Sequence, residues 1–118
     1  EMCIRDSLLP DNVTFDSFGN LWVSTDGNAL ESNDGLFAVA LEGETRGLTK
    51  QFLTVPAGAE TCGPLVFDKR VIVNVQHPGE DEEATVKSST SHWPDGGDSI
   101  ARPATVVAWK DDFGTIGA

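Results

Sequence analysis

At 118 residues the chain is long enough for one small domain. Its 19 acidic and 8 basic residues give a formal net charge of −11, which disfavours nucleic acid or an anionic membrane as a partner and suits bound cations or a solvated surface. No apolar run approaches the roughly twenty residues of a membrane-spanning helix.

Residues 1–7 (EMCIRDS) fit none of the patterns that follow, look like a non-native or artefactual leader, and are set aside together with Cys3. No export signal is visible, which says nothing if the chain is an internal piece of a longer protein. Cys3 and Cys62 lack metal-type spacing and leave the redox compartment open.

From Leu8 onward the reading is almost entirely β. Residues 13–15 form a brief strand. Residues 16–20 (DSFGN) form a hairpin connection in which Gly19 and Asn20 tolerate positive φ. Residues 21–25 (LWVST) follow as a second strand, with Trp22 on a buried face. A polar loop over 26–35 leads to strands at 36–41 and 48–55, joined by a Gly-bounded turn at 43–47. A link over 56–64 leads to strands at 65–67 and 71–75. A polar stretch, 78–103, is either functional or disordered because it lacks apolar periodicity. A last strand spans 105–109, and no amphipathic helix is evident.

One pattern occurs twice. Val13-Thr14-Phe15-Asp16, a turn and Leu21-Trp22-Val23-Ser24-Thr25 are matched by Leu65-Val66-Phe67-Asp68, a shorter turn and Val71-Ile72-Val73-Asn74-Val75. Repetition at this period signals a stacked or radial repeat such as a β-propeller blade. The expected fold is all-β, about two blades of an antiparallel propeller: residues 8–56 as the first, 57–110 as a partial second, and 111–118 as a tail. Propellers close with roughly four to eight blades, so the chain is expected to be a fragment, part of a ring of about six.

Candidate chemistry sits at the strand ends. Asp11 and Asn12 precede the first strand and Asp26 follows the second, so hairpin pairing brings all three to one end of the sheet. Two carboxylates and an amide oxygen suit Ca²⁺, although the same residues also make turns. An EF-hand loop is excluded, because Leu30 stands where a third oxygen ligand after Asp26 and Asn28 would be needed. Glu60, ahead of the second copy, is a potential ligand or general base, or a plain surface residue. Cys62 is a potential soft ligand or a small hydrophobe. His77, in a Pro-Gly turn, is suited to contacting an anion, ligating a metal or donating a proton, and equally to a structural role. Arg102 is suited to a phosphate or to the surface. Asn12-Val13-Thr14 matches a glycosylation sequon by a pattern frequent in chance.

Taken in order, PDNVTFDSFGNLWVSTDG, AETCGPLVFD, VIVNVQHPGE and ARPATVVAW resemble the C-terminal part of PhoX-type alkaline phosphatases. These are usually exported β-propeller phosphomonoesterases. The QHPGE segment is the most specific element, since other propellers share the strand ends. The resemblance implies a bacterial, periplasmic or secreted, calcium-dependent phosphatase with a Ca²⁺ and Fe³⁺ cluster at the propeller mouth. Asp11, Asn12, Asp26 and Glu60 match motif positions that would serve metal, and His77 would stand near the substrate. The expected partners are a phosphate monoester and the missing blades of the same chain. Two departures stand out: Cys62 is not equated with the family's iron-binding cysteine, and the turn at Asp68 is shorter than the family pattern. Alternatives of another kind are a non-catalytic propeller that presents loops to a partner, or a calcium-dependent, regucalcin-like lactonase.

Overall fold

The computed structural model describes residues 10–27 and 33–116. The proposed leader, Asn28 and Leu30 lie outside them. Among the described residues there is no helix. Seven strands form two antiparallel sheets. The first holds β1 (Pro10–Phe15), β2 (Leu21–Thr25), β3 (Gly35–Val39) and β4 (Thr49–Thr54) in sequential order. The second holds β5 (Glu60–Phe67), β6 (Arg70–Gln76) and β7 (Ala104–Ala108). This is the arrangement expected of two propeller blades, the second with one strand fewer.

Alternation explains which face is buried. Along β6 every second residue points inward, so Val71, Val73 and Val75 are buried between exposed or half-buried neighbours. Trp22, Leu36, Val71 and Ile116 form one buried cluster that joins the two sheets, with Phe52 edge-on to Trp22 at 5.2 Å. Val55, Ala59 and Val75 form a second, under Trp93 and Val106. Ile116 belongs to the segment expected to be a tail. Instead it is 1% exposed, and its amide donates to the Asp68 carbonyl at 2.7 Å.

The two hairpins share a bulge. Three steps along β1, from Pro10 to Val13, oppose two along β2, from Thr25 to Val23. Three steps along β5, from Cys62 to Leu65, oppose two along β6, from Asn74 to Ile72. Pro10, Val13 and Trp22 therefore correspond to Cys62, Leu65 and Val71. The repeat lines up one residue away from the sequence-based matching of Leu21 with Val71, because the second hairpin turns through residues 68–69 alone while the first uses residues 16–20. The bulge also corrects the expected link over 56–64. Gly63 and Pro64 are not a break; β5 runs through them from Glu60, with Gly63 at φ +56°.

The 78–103 stretch carries no strand but is tied down. The Gly79 amide donates to the Ala57 carbonyl, and the Thr90 amide donates to the Gly79 carbonyl. Arg102 is held by Asp95 through its Nε at 2.9 Å and a terminal nitrogen at 3.1 Å, so its guanidinium faces a carboxylate of its own loop.

Candidate metal centre

Three strand ends meet at one rim of the two sheets. Asp26 follows the last residue of β2, Glu60 opens β5, and His77 follows the last residue of β6. Register places them together: Glu60 pairs with Gln76, so His77 is one step beyond its partner. The ligand atoms of Asp26, Glu60 and His77 all lie within 4.8 Å of one another. Glu60 is buried, His77 half-buried and Asp26 exposed, so the cluster is open to solvent on the Asp26 side.

The imidazole is oriented from behind. His77 Nδ1 lies 3.0 Å from the Gly58 carbonyl and 2.8 Å from Glu80 Oε2, while Nε2 lies 3.2 Å from Glu60 Oε1. A proton on Nδ1 satisfies the two acceptors and leaves Nε2 facing the carboxylates as a donor atom, the usual support for a ligating histidine. The backbone needed for this is unusual. His77 sits at φ +34° and is followed by Gly79 at φ +82°. A Cβ on Gly79 would fall 2.9 Å from the Ser91 backbone, and one on Gly58 would fall 2.2 Å from the Glu80 carbonyl oxygen. The Pro-Gly turn is thus closed tightly over the Gly58 turn.

Electrostatics also favour a cation. Burial pushes the Glu60 carboxyl above its ordinary range, and the neighbouring Asp26 raises it further. For His77, burial pulls the pKa down, but the Gly58 carbonyl, Glu80 and Glu60 outweigh it and raise it. Both shifts have one cause in common: two carboxylates drawn close together favour a positive charge between them. Carboxylate oxygens with one imidazole nitrogen form a mixed donor set that fits a metal ion: the oxygens suit Ca²⁺, and the nitrogen suits a transition metal.

The grouping differs from the expected metal set of Asp11, Asn12, Asp26 and Glu60: it keeps Asp26 and Glu60 and adds His77, which was expected near the substrate. Asp11 and Asn12 lie at the same end of the hairpin as Asp26 but in the β1 bulge. Asn12 Oδ1 accepts a hydrogen bond from the Gly63 amide at 2.8 Å, so it joins the two sheets. Asp11 is exposed and lies outside the cluster. With burial first and Glu60 next, its charge helps to raise the Cys62 thiol. Cys62 itself is half-buried, its Sγ 3.6 Å from Gln76 Oε1. Sequence reasoning named Glu60 and His77 separately. It missed Gly58, whose carbonyl meets His77 only because the Pro-Gly turn closes over the Gly58 turn.

A family model for alkaline phosphatase PhoX matches residues 5–79, a span that includes Asp26, Glu60 and His77. The chain belongs to the PhoX alkaline phosphatase family. Among solved structures it is similar to Pseudomonas fluorescens PhoX in complex with vanadate, a transition state analogue, with a TM-score of 0.72 and 26% identity. That match covers 92% of this chain and 19% of the Pseudomonas protein, so the PhoX-family segment described here spans about a fifth of that phosphatase's length. No curated protein matches the chain.

Proposed function

We propose that this chain forms part of a calcium-dependent alkaline phosphatase that hydrolyses phosphate monoesters at a Ca²⁺ and Fe³⁺ centre in the propeller mouth, in the periplasm or outside the cell. The observation that carries the reading is the convergence of Asp26, Glu60 and His77 within 4.8 Å, in a chain similar to a PhoX solved in complex with vanadate. Asp26 and Glu60 would offer oxygen ligands and His77 its Nε2, with further ligands drawn from other blades. When bound, the cations neutralise phosphate oxygens and stabilise the charge that develops in phosphoryl transfer. Glu80 and the Gly58 carbonyl keep the imidazole turned toward the carboxylates. The two carboxylates of the cluster repel a phosphate, and bound metal would reverse that charge.

The test uses the full-length protein that carries this segment. Hydrolysis of p-nitrophenyl phosphate should vanish on chelation and return when Ca²⁺ is added back. Full activity in excess chelator would refute the reading. Lactone turnover without phosphatase activity would assign the site to the lactonase alternative.

A further inference from the structure

Glu60 and Asp26 come from different sheets, so something has to fix the distance between them. The groups placed to do so are next to each in sequence. Thr61 follows Glu60, and its side chain is fully buried. Its Oγ1 lies 2.7 Å from the Gly35 carbonyl, 3.3 Å from the Thr25 amide and 3.5 Å from the Thr25 carbonyl. A hydroxyl has one proton, and the shortest of the acceptor distances assigns it to Gly35. The Thr25 amide then donates to the oxygen. Thr25 is the residue before Asp26.

The frame that receives this hydroxyl is rigid. Thr25 Oγ1 donates to Asp34 Oδ1 at 2.8 Å and accepts from the Gly35 amide at 3.1 Å, and the Val55 amide donates to the Asp34 carbonyl at 2.9 Å. Gly35 is packed so closely on β4 that a Cβ there would lie 2.3 Å from the Leu53 carbonyl oxygen. One buried hydroxyl thus joins β2, β3 and β5 beside the cluster.

We propose that Thr61 is a positioning residue of the metal centre: its hydroxyl clasps the two sheets so that the Glu60 and Asp26 carboxylates share one cation. This rests on the reading of the cluster as a metal site. The test measures metal retained by the full-length protein across graded chelator concentrations, with thermal unfolding recorded in parallel, for Glu60→Gln, Thr61→Val, Thr61→Ala and Thr61→Ser. Glu60→Gln should release the metal. Thr61→Val should weaken retention about 10–100-fold, the range typical of groups that orient metal ligands, and Thr61→Ser should restore most of it. Thr61→Ala is read in the same way if the valine variant does not fold. Released metal in Glu60→Gln with wild-type retention in folded Thr61→Val or Thr61→Ala would overturn the clasp and leave the metal site standing. Unchanged retention in Glu60→Gln would overturn the metal reading and the clasp with it. A role in stability alone would lower the unfolding temperature without moving retention, and that result also counts against the clasp.

Discussion

The two hairpins carry the same bulge and the same inward stripe, yet they differ at their ends. In the first, Asp16 closes its own turn: its carboxylate accepts hydrogen bonds from the Phe18 and Asn20 amides, the Asn20 side chain and the Trp22 indole, at 2.8–2.9 Å. In the second, the carboxylate of the corresponding Asp68 reaches outward and accepts from the Ser17 hydroxyl at 2.6 Å, while its backbone carbonyl accepts from the Ile116 amide. At the opposite rim the first hairpin provides one carboxylate from the end of β2, whereas the second provides Glu60 from its start and His77 from its end. The repeated backbone sets where strand ends lie, and the residues beyond the repeat set what those ends do.

Changes at the rim should separate the hairpins most sharply. Glu60→Gln is expected to reduce phosphatase activity of the full-length protein to background with its fold retained, as read by circular dichroism. Asp26→Ala should act in the same direction. The next comparison is between core equivalents. Trp22→Ala should cost about 3–5 kcal/mol in urea unfolding and Val71→Ala about 2 kcal/mol, because the indole fills far more of the shared cluster. Equal losses would mean that the indole fills no more of the shared cluster than the valine side chain does.

Asp16→Asn should cost about 1–3 kcal/mol near neutral pH by weakening a buried, multiply bonded acceptor. Burial raises the Asp16 pKa, but the bonds from Trp22, Asn20 and Phe18 outweigh it and hold it below its ordinary 3.8. A depressed carboxylate stabilises the fold above the unfolded value, and this contribution fades as pH falls through the folded one. Wild type and Asp16→Asn should therefore converge in acid. A constant gap would show that ionisation is not what stabilises the turn. The smallest effect is expected at Asp11. Exposed substitutions typically shift stability by no more than about 0.5 kcal/mol, and Asp11→Ala should change metal retention less than about threefold. A loss as large as that of Asp26→Ala would restore Asp11 to the ligand set.

Much of the fold was legible because alternation and turn chemistry are local. Residues 71–75 declare a strand, and Gly19 with Asn20 declares a turn. What was not legible depended on pairing. Gly63 and Pro64 look like a break until the bulge is seen, and without β5 extended through them Glu60 has no partner in β6. The acidic residues at the rim could be named one by one, but their grouping turned on which of them fell in a bulge. Ile116 stands in a polar tail and gives no sign of packing against Trp22 and Val71. Thr61 is an ordinary strand residue by type, and only the contact between sheets gives its hydroxyl a function.

The most direct measurement is anomalous diffraction from crystals of the full-length protein grown with its metals. A cation should lie between Asp26, Glu60 and His77, about 2.0–2.6 Å from a carboxylate oxygen of each acid and from His77 Nε2. A metal centre elsewhere, with Glu60 still paired directly to His77, would contradict the account.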